Sequence, residues 1–490
     1  GSQTSLVPVT VNPWASDRSI GHRSSSEAQL RRAQRADIDE TMREPCTGPA
    51  APAAPAGLAD CPAPPGPPEG AQSTEARVAR TGNTACHTLG ATMADRVPYL
   101  ASRLQGFGTT IFAEMSALAV RTGAINLGQG FPDYDGPAEV LDAAVDAIRS
   151  GHNQYPPGRG EPVLREAIAH HRRRWYGLAY DPDTEVLVTA GATEAIAAAC
   201  LALCEPGDEV VVLEPTYDSY QASIAMAGAT PMFITLDPPD YRLDVDRLRA
   251  AVGPRTRLLL VNSPHNPTGT VLDRAELAAV ASIAVEHDLL VVTDEVYEHL
   301  VFDGHTHLPL ATLPGMRDRT VTISSGGKTF NTTGWKIGWI CASPPLVTAV
   351  TTAKQFLTYV NGGPFQPAIA AGLGLPDRYF THLAADLGAK RDELCAGLDD
   401  AGVEVFPPQG TYFVTVDIRP LRPDGDGMAF CRELPELCGV VAVPNQVFYA
   451  EEATGRHLVR FSFAKRTEVL REAVARLGKL GDGAPRGEVS

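Results

Sequence analysis

Thr322–Trp339 reads TISSGGKTFNTTGWKIGW: a β-rich run, then Ser324, Ser325, Gly326 and Gly327 leading into Lys328, then Thr329, Phe330 and Asn331. A lysine on a solvated helix face has charged neighbours three or four residues away. Here the next cation is Lys336, eight residues on. An amine held in a dry, glycine-lined loop can shed its proton and attack a carbonyl. Taken alone, the segment reads equally as a loop lysine at the surface, and the rest of the chain decides between the two.

Upstream, β-rich runs alternate with helical periods. Strands are expected at 185–189, 209–213, 230–236, 257–262, 289–293 and 320–323, and helices at 192–204, 220–227, 248–252 and 275–287. Runs such as VVVL, LLLV and LLVV, with helices between them, predict a mainly parallel sheet covered on both faces, hence an α/β domain. Downstream, helices at 346–359, 379–401, 428–438 and 467–480 with short strands at 412–416 and 457–463 predict a smaller α+β domain.

The 490 residues are 44% hydrophobic and 20% charged, ordinary for a soluble globular enzyme. A net charge of −16 without a Lys/Arg-rich block disfavours a nucleic-acid or anionic-membrane surface, so any phosphate must be bound by local donors. No apolar run is long enough to span a bilayer, and no signal-peptide core is present. Nine cysteines without a C-x-x-C pair predict reduced thiols and a cytoplasmic setting. His299, His305 and His307 fit no zinc spacing, so no metal is expected.

Residues 1–92 differ from the rest: nine prolines fall between Pro45 and Pro68, and a globular composition begins at Met93. A disordered Pro/Ala-rich extension without catalytic role is expected there. The remaining divisions are expected to be an N-terminal arm at 93–125 packed with the small domain, a large domain at 126–360, a small domain at 361–482 and a disordered tail at 483–490.

Ligands of open α/β sheets bind beyond the carboxyl ends of the strands. Gly191-Ala192-Thr193 there opens a helix, where free N–H groups and the helix dipole favour an anion, although Thr193 also reads as a plain N-cap. Tyr217 follows VVVL and reads as a face for a flat ring or as packing. Asn266 lies in the turn NSPHNPTG and reads as a rigid donor or a turn former. Asp294 ends a buried strand, where a carboxylate needs a cation or donors, and Tyr297 follows three residues later. One cofactor uses all of these parts. Pyridoxal phosphate needs a lysine for its aldehyde, an acid for its ring nitrogen, and donors for its phenolic oxygen and phosphate.

The motifs NLGQGFPD, NQYPPGRGEPVLREA, VTAGATEAI, PTYDSY, NSPHNPTG, TDEVYEHLVFDG, SSGGKTFNTTGWKIGW and LVRFSFAKR stand in order over about Ala94–Leu480. In these the chain resembles the fold type I pyridoxal-phosphate enzymes, specifically the class I/II aminotransferases. The resemblance implies a seven-stranded, mainly parallel sheet in a large domain plus a smaller α+β domain. It implies that Lys328 carries the cofactor aldehyde and then moves a proton, and that Asp294 pairs with the ring nitrogen. Asn266 and Tyr297 would hold the phenolic oxygen, and Tyr217 would stack on the ring. Gly191, Ala192, Thr193, Ser325 and Lys336 would surround the phosphate, with Tyr155 reaching the phosphate of a second subunit in a homodimer. Arg460 would clamp the substrate carboxylate with its planar fork, alongside Asn266. Gly130 and Phe112 would line the substrate side.

Thr216 stands where an aromatic is frequent just before the stacking tyrosine, and Thr193 where kynurenine/glutamine transaminases carry an aromatic. FAEMSALA, NLGQGFPD, NQYPPG and TDEVYEHLVFD are instead similar to actinobacterial N-succinyldiaminopimelate aminotransferases. The reading is a ping-pong exchange between an amino acid and a 2-oxo acid, of the N-succinyl-LL-2,6-diaminopimelate/glutamate type. The alternatives are a broad kynurenine, glutamine, methionine or aromatic transaminase, a cysteine-conjugate β-lyase, and a specialised-metabolism aminotransferase. A non-enzymatic regulator would carry a DNA-binding module, and no basic stripe is present.

Overall fold

The computed structural model describes residues 99–108 and 110–482; the expected extension at 1–92 and tail at 483–490 lie outside them. In chain order come α1 (Ile111–Thr122), β1 (Ile125–Asn126), α2 (Ala138–Arg149), α3 (Pro162–Tyr176), β2 (Val186–Ala190), α4 (Gly191–Leu203) and β3 (Glu209–Glu214). There follow α5 (Asp218–Met226), β4 (Thr230–Thr235), α6 (Val245–Ala251), β5 (Thr256–Asn262), α7 (Arg274–Glu286), β6 (Leu290–Asp294), β7 (Thr320–Ser325), β8 (Ile337–Cys341) and α8 (Pro344–Lys354).

Seven of these strands form one sheet in the order β2-β8-β7-β6-β5-β3-β4. β8 alone is antiparallel, to both of its neighbours. The other six strands point the same way, and their carboxyl ends share one edge. Val210, Val212, Leu258, Leu260 and Val292 bury against α4 and α8, whereas Val211, Leu259 and Val291 bury against α7. Because both faces of the sheet are covered, its strands carry apolar residues at consecutive positions rather than alternating ones. Helix boundaries follow local chemistry: α7 opens on a reciprocal capping box between Asp273 and Glu276, and α3 has proline in its first turn and ends on left-handed Gly177.

β8 is not among the strands expected from the sequence. It fits between β2 and β7 because Gly338 presses on the start of α4, where a Cβ would lie 2.5 Å from the Gly191 carbonyl carbon.

The chain continues with α9 (Phe365–Leu373), α10 (Asp377–Asp400), β9 (Glu404–Phe406), β10 (Phe413–Asp417), α11 (Gly427–Cys438), β11 (Val440–Val441), β12 (Val443–Pro444), β13 (Leu458–Ser462) and α12 (Thr467–Leu477). An antiparallel sheet runs β12-β13-β10-β9. β1 pairs with β11, and Met115 of α1 buries in one core with Leu434, Phe461 and Leu470. α9 lies past the expected boundary at 360, yet Ile369 and Leu373 share a core with Val140 of α2, Ile168 of α3 and Trp339 of β8.

Candidate active site

Gly191, Ala192, Thr193, Tyr217, Asn266, Asp294, Tyr297, Ser325, Lys328 and Lys336 line one cavity of about 210 Å³ at the carboxyl edge of the large sheet. The fold assembles them strand by strand. β2 delivers the start of α4, β3 the Tyr217 turn, β5 Asn266, β6 Asp294 and Tyr297, and β7 Ser325 and Lys328. Gly191 takes φ +74 to turn the chain from strand into helix, a conformation that suits glycine.

The second sheet supplies the opposite wall. Arg460 of β13 is 1% exposed; its Nη1 donates to Asn266 Oδ1 at 2.9 Å and its Nη2 to the Gly128 carbonyl at 3.1 Å. The rings of Phe413, Phe448 and Phe112 flank the guanidinium at 3.9, 5.1 and 5.3 Å. Lys328 Nζ donates to the Tyr412 hydroxyl at 2.9 Å and approaches the Gly130 carbonyl at 3.4 Å. Phe112 and Gly130 therefore border the Arg460 and Lys328 side. Tyr155 does not line the cavity: it is 82% exposed, edge-on to Tyr359.

Burial dominates the electrostatics. It pushes the Asp294 carboxyl up against the pull of the Tyr220 hydroxyl, which donates at 2.7 Å, of the Val296 amide, and of Lys328. Burial likewise holds Tyr297 in its phenol form, well above the usual range, with Tyr412 adding to the effect. It lowers Arg460 to about 10, and it lowers Lys336 with help from Lys328. Lys336 also takes left-handed backbone, φ +56 and ψ 45, a conformation costing a non-glycine residue about 1–3 kcal/mol.

Beneath the cavity lies a buried ion network. Arg172 of α3 donates to Glu295 at 2.7 Å and to Glu298 at 2.9 Å, each carboxylate next in sequence to a cavity residue. Ser324 donates to Glu298 at 2.6 Å, and His307 meets Glu295 at 3.1 Å. Burial would raise the Glu298 carboxyl, but Arg172, with His299 and His171, outweighs it and holds the group well below the usual range. His171 and His299, the imidazoles beside Glu298, pair with one another through Nε2 at 2.8 Å.

The cavity suits pyridoxal phosphate by its own chemistry. Asp294, 4% exposed, meets neutral donors in Tyr220 and Val296, which leaves its charge to be balanced by a cation in the cavity such as a protonated ring nitrogen. Lys328 and Lys336 end in the same space as the opening of α4, a 13-residue helix, so an anion is matched there.

Sequence reasoning missed Tyr220, Tyr412 and Arg172. Tyr220 stands in the first turn of a helix, where a tyrosine looks like core. Tyr412 heads a strand of the other sheet. Arg172 stands in the run HHRRRWY, which reads as a solvated basic face.

Residues 122–477 match the family profile for aminotransferase class I and II. The chain is 56% identical over 392 residues, 78% of its length and 98% of the relative's, to a probable N-succinyldiaminopimelate aminotransferase DapC of Mycobacterium tuberculosis. It is 41% identical over 379 residues, 77% of its length and 98% of the relative's, to the methionine aminotransferase of Escherichia coli. The solved structure of the M. tuberculosis N-succinyldiaminopimelate aminotransferase superposes with a TM-score of 0.76 at 57% identity, over 78% of this chain and all of that one. With the site geometry, these matches make the chain a member of the pyridoxal-phosphate-dependent class I and II aminotransferases.

Proposed function

We propose that this enzyme moves an amino group between N-succinyl-LL-2,6-diaminopimelate and the glutamate/2-oxoglutarate pair by a ping-pong exchange. The observation carrying the substrate assignment is the 56% identity to the DapC relative across nearly all of that protein. When bound, pyridoxal phosphate supplies an aldehyde for the amino group and a ring that takes up electrons from the substrate α-carbon. The chain's residues do the rest. Lys328 would hold the cofactor's aldehyde, and its Nζ, once free, would carry the proton leaving the substrate α-carbon. Asp294, oriented by Tyr220, would keep a proton on the ring nitrogen. Tyr297 and Asn266 would hold the phenolic oxygen, and Tyr217 would cover the ring face. Lys336, Ser325 and the first amides of α4, from Gly191 through Thr193, would hold the phosphate. Arg460 would bind the substrate α-carboxylate with its fork, beside Phe112, with Gly130 bordering the Lys328 side.

The working unit we propose is a homodimer. Exposed Tyr155 lies beside exposed Tyr359, and Phe356 nearby is also exposed, an apolar surface from which Tyr155 would reach the second subunit's cofactor phosphate. The six cysteines among the described residues are all free, in keeping with a reducing, cytoplasmic setting.

A second reading, a methionine or aromatic transaminase, draws on the three phenylalanine rings around Arg460. Single-turnover absorbance on the holoenzyme separates the two. Fastest loss of the cofactor band with the succinylated diamino acid and with glutamate supports the first reading. Fastest loss with methionine, kynurenine or aromatic donors selects the second, and release of pyruvate and ammonia from a cysteine conjugate would mark β-lyase chemistry. No change with any donor refutes the role given to Lys328.

A further inference from the structure

Tyr412 has no part in the chemistry above, yet it touches both the reacting lysine and the loop over it. Its hydroxyl lies 2.5 Å from the Gly130 carbonyl and 2.9 Å from Lys328 Nζ. A phenol has one proton to donate, and a carbonyl can only accept. The proton therefore goes to Gly130, and the contact with Lys328 runs from the lysine N–H to the phenol oxygen.

The neighbourhood is built to keep the ring there. Thr411, wholly buried and β-branched, takes φ +68, an outlier for such a residue. It is held by its amide on the Leu300 carbonyl at 2.8 Å. A Cβ on Gly130 would meet Phe413 at 2.7 Å, so the loop lies directly on the β10 aromatics. The Gly128–Asp133 loop is also tied at Gly128 by Arg460, at Phe131 by Lys465 and at Asp133 by the Arg466 amide. Without the Tyr412 hydroxyl, the Gly130 carbonyl would keep only the 3.4 Å contact with Lys328.

We propose that Tyr412 is a positioning residue that parks the free Lys328 amine under this loop. By accepting one N–H it arrests rotation of the amine and leaves the nitrogen lone pair to receive the proton from the substrate α-carbon. By donating to Gly130 it keeps the loop closed over that position. The inference rests on the proposed role of Lys328.

Tyr412→Phe keeps the ring and removes only the hydroxyl. Wild type and variant holoenzymes are compared in single turnovers with glutamate and with α-deuterated glutamate. The cofactor-free proteins are compared by hydrogen–deuterium exchange over 127–133. A mispositioned proton acceptor is expected to slow the variant's turnover about 10–100-fold with half-saturation changed less than about twofold. The deuterium effect should exceed that of the wild type, and loop exchange should quicken about tenfold. Unchanged rate and isotope effect overturn the proposal. So does a slower turnover with weakened glutamate binding and an unchanged isotope effect, the mark of a merely structural role. If the wild type turns over no donor, the role of Lys328 fails instead; unchanged loop exchange would then overturn the Tyr412–Gly130 contact independently.

Discussion

Replacing Arg172 by methionine tests the buried network on which the cavity rests. The arginine is wholly buried, and the side chains of Glu295 and Glu298 are each 2% exposed. Methionine keeps much of the volume but leaves two buried carboxylates with Ser324, Thr293, His307 and Tyr176 as partners. Removing one partner of a buried ion pair costs about 3–5 kcal/mol. Against a typical total of about 5–15 kcal/mol, that is a large share.

The pH dependence gives the experiment a sign. Burial pushes both carboxyls up, and Arg172 together with the imidazoles, His307 at Glu295 and His299, His171 and His307 at Glu298, outweighs it, so both titrate below their ordinary range in the native protein. A depressed carboxyl contributes stability above its unfolded value of about 4.3, and that contribution is lost as pH falls through the native value. In the variant burial wins, both carboxyls rise above the unfolded value, and acidification becomes stabilising. The deficit relative to wild type is therefore largest near pH 8 and narrows toward pH 5, by about 1.4 kcal/mol for each pH unit over which one carboxyl takes up its proton. Urea midpoints of the two holoenzymes at several pH values measure this. A deficit under about 1 kcal/mol at pH 8, or one constant from pH 5 to 8, would refute the reasoning.

Tyr220→Phe removes the hydroxyl that donates to Asp294 at 2.7 Å. A lost bond to a buried charge is worth about 1.5–3 kcal/mol, so affinity for pyridoxal phosphate should fall roughly tenfold or more in an absorbance titration of the cofactor-free protein. Unchanged affinity would show that Tyr220 does not orient the acid. Gly338→Ala places a Cβ 2.5 Å from the Gly191 carbonyl carbon and 2.8 Å from the Ala192 amide nitrogen, backbone that cannot rotate away. The start of α4 must then lift off β8. Loss of more than about 2 kcal/mol of stability together with cofactor binding is expected, the first read by urea unfolding and the second by the cofactor absorbance.

What the sequence made legible was local. VVVL, LLLV and LLVV mark strands buried on both faces, and the polar residues just after them fall at the sheet edge, so Asn266 and Asp294 stood out as candidates by position, Asn266 beside a plainer reading as a turn former, while the Lys328 segment alone read either way. The missed residues act across long separations. Tyr220 meets Asp294 from 74 residues away, Arg172 meets Glu295 from 123, and Tyr412 meets Lys328 from 84. Each looks ordinary where it stands, because a helical tyrosine is usually core and an arginine among arginines is usually a solvated face. Two of them are nevertheless required by residues that were found: Asp294, buried, needs donors, and the amine of Lys328 needs an acceptor, whereas Arg172 serves Glu295 and Glu298, which the sequence did not single out. Hydrogen-bond accounting on the legible residues thus says that such partners exist. Only the packing of α3 and α5 on the large sheet, and the approach of β10 to its edge, decides which residues they are.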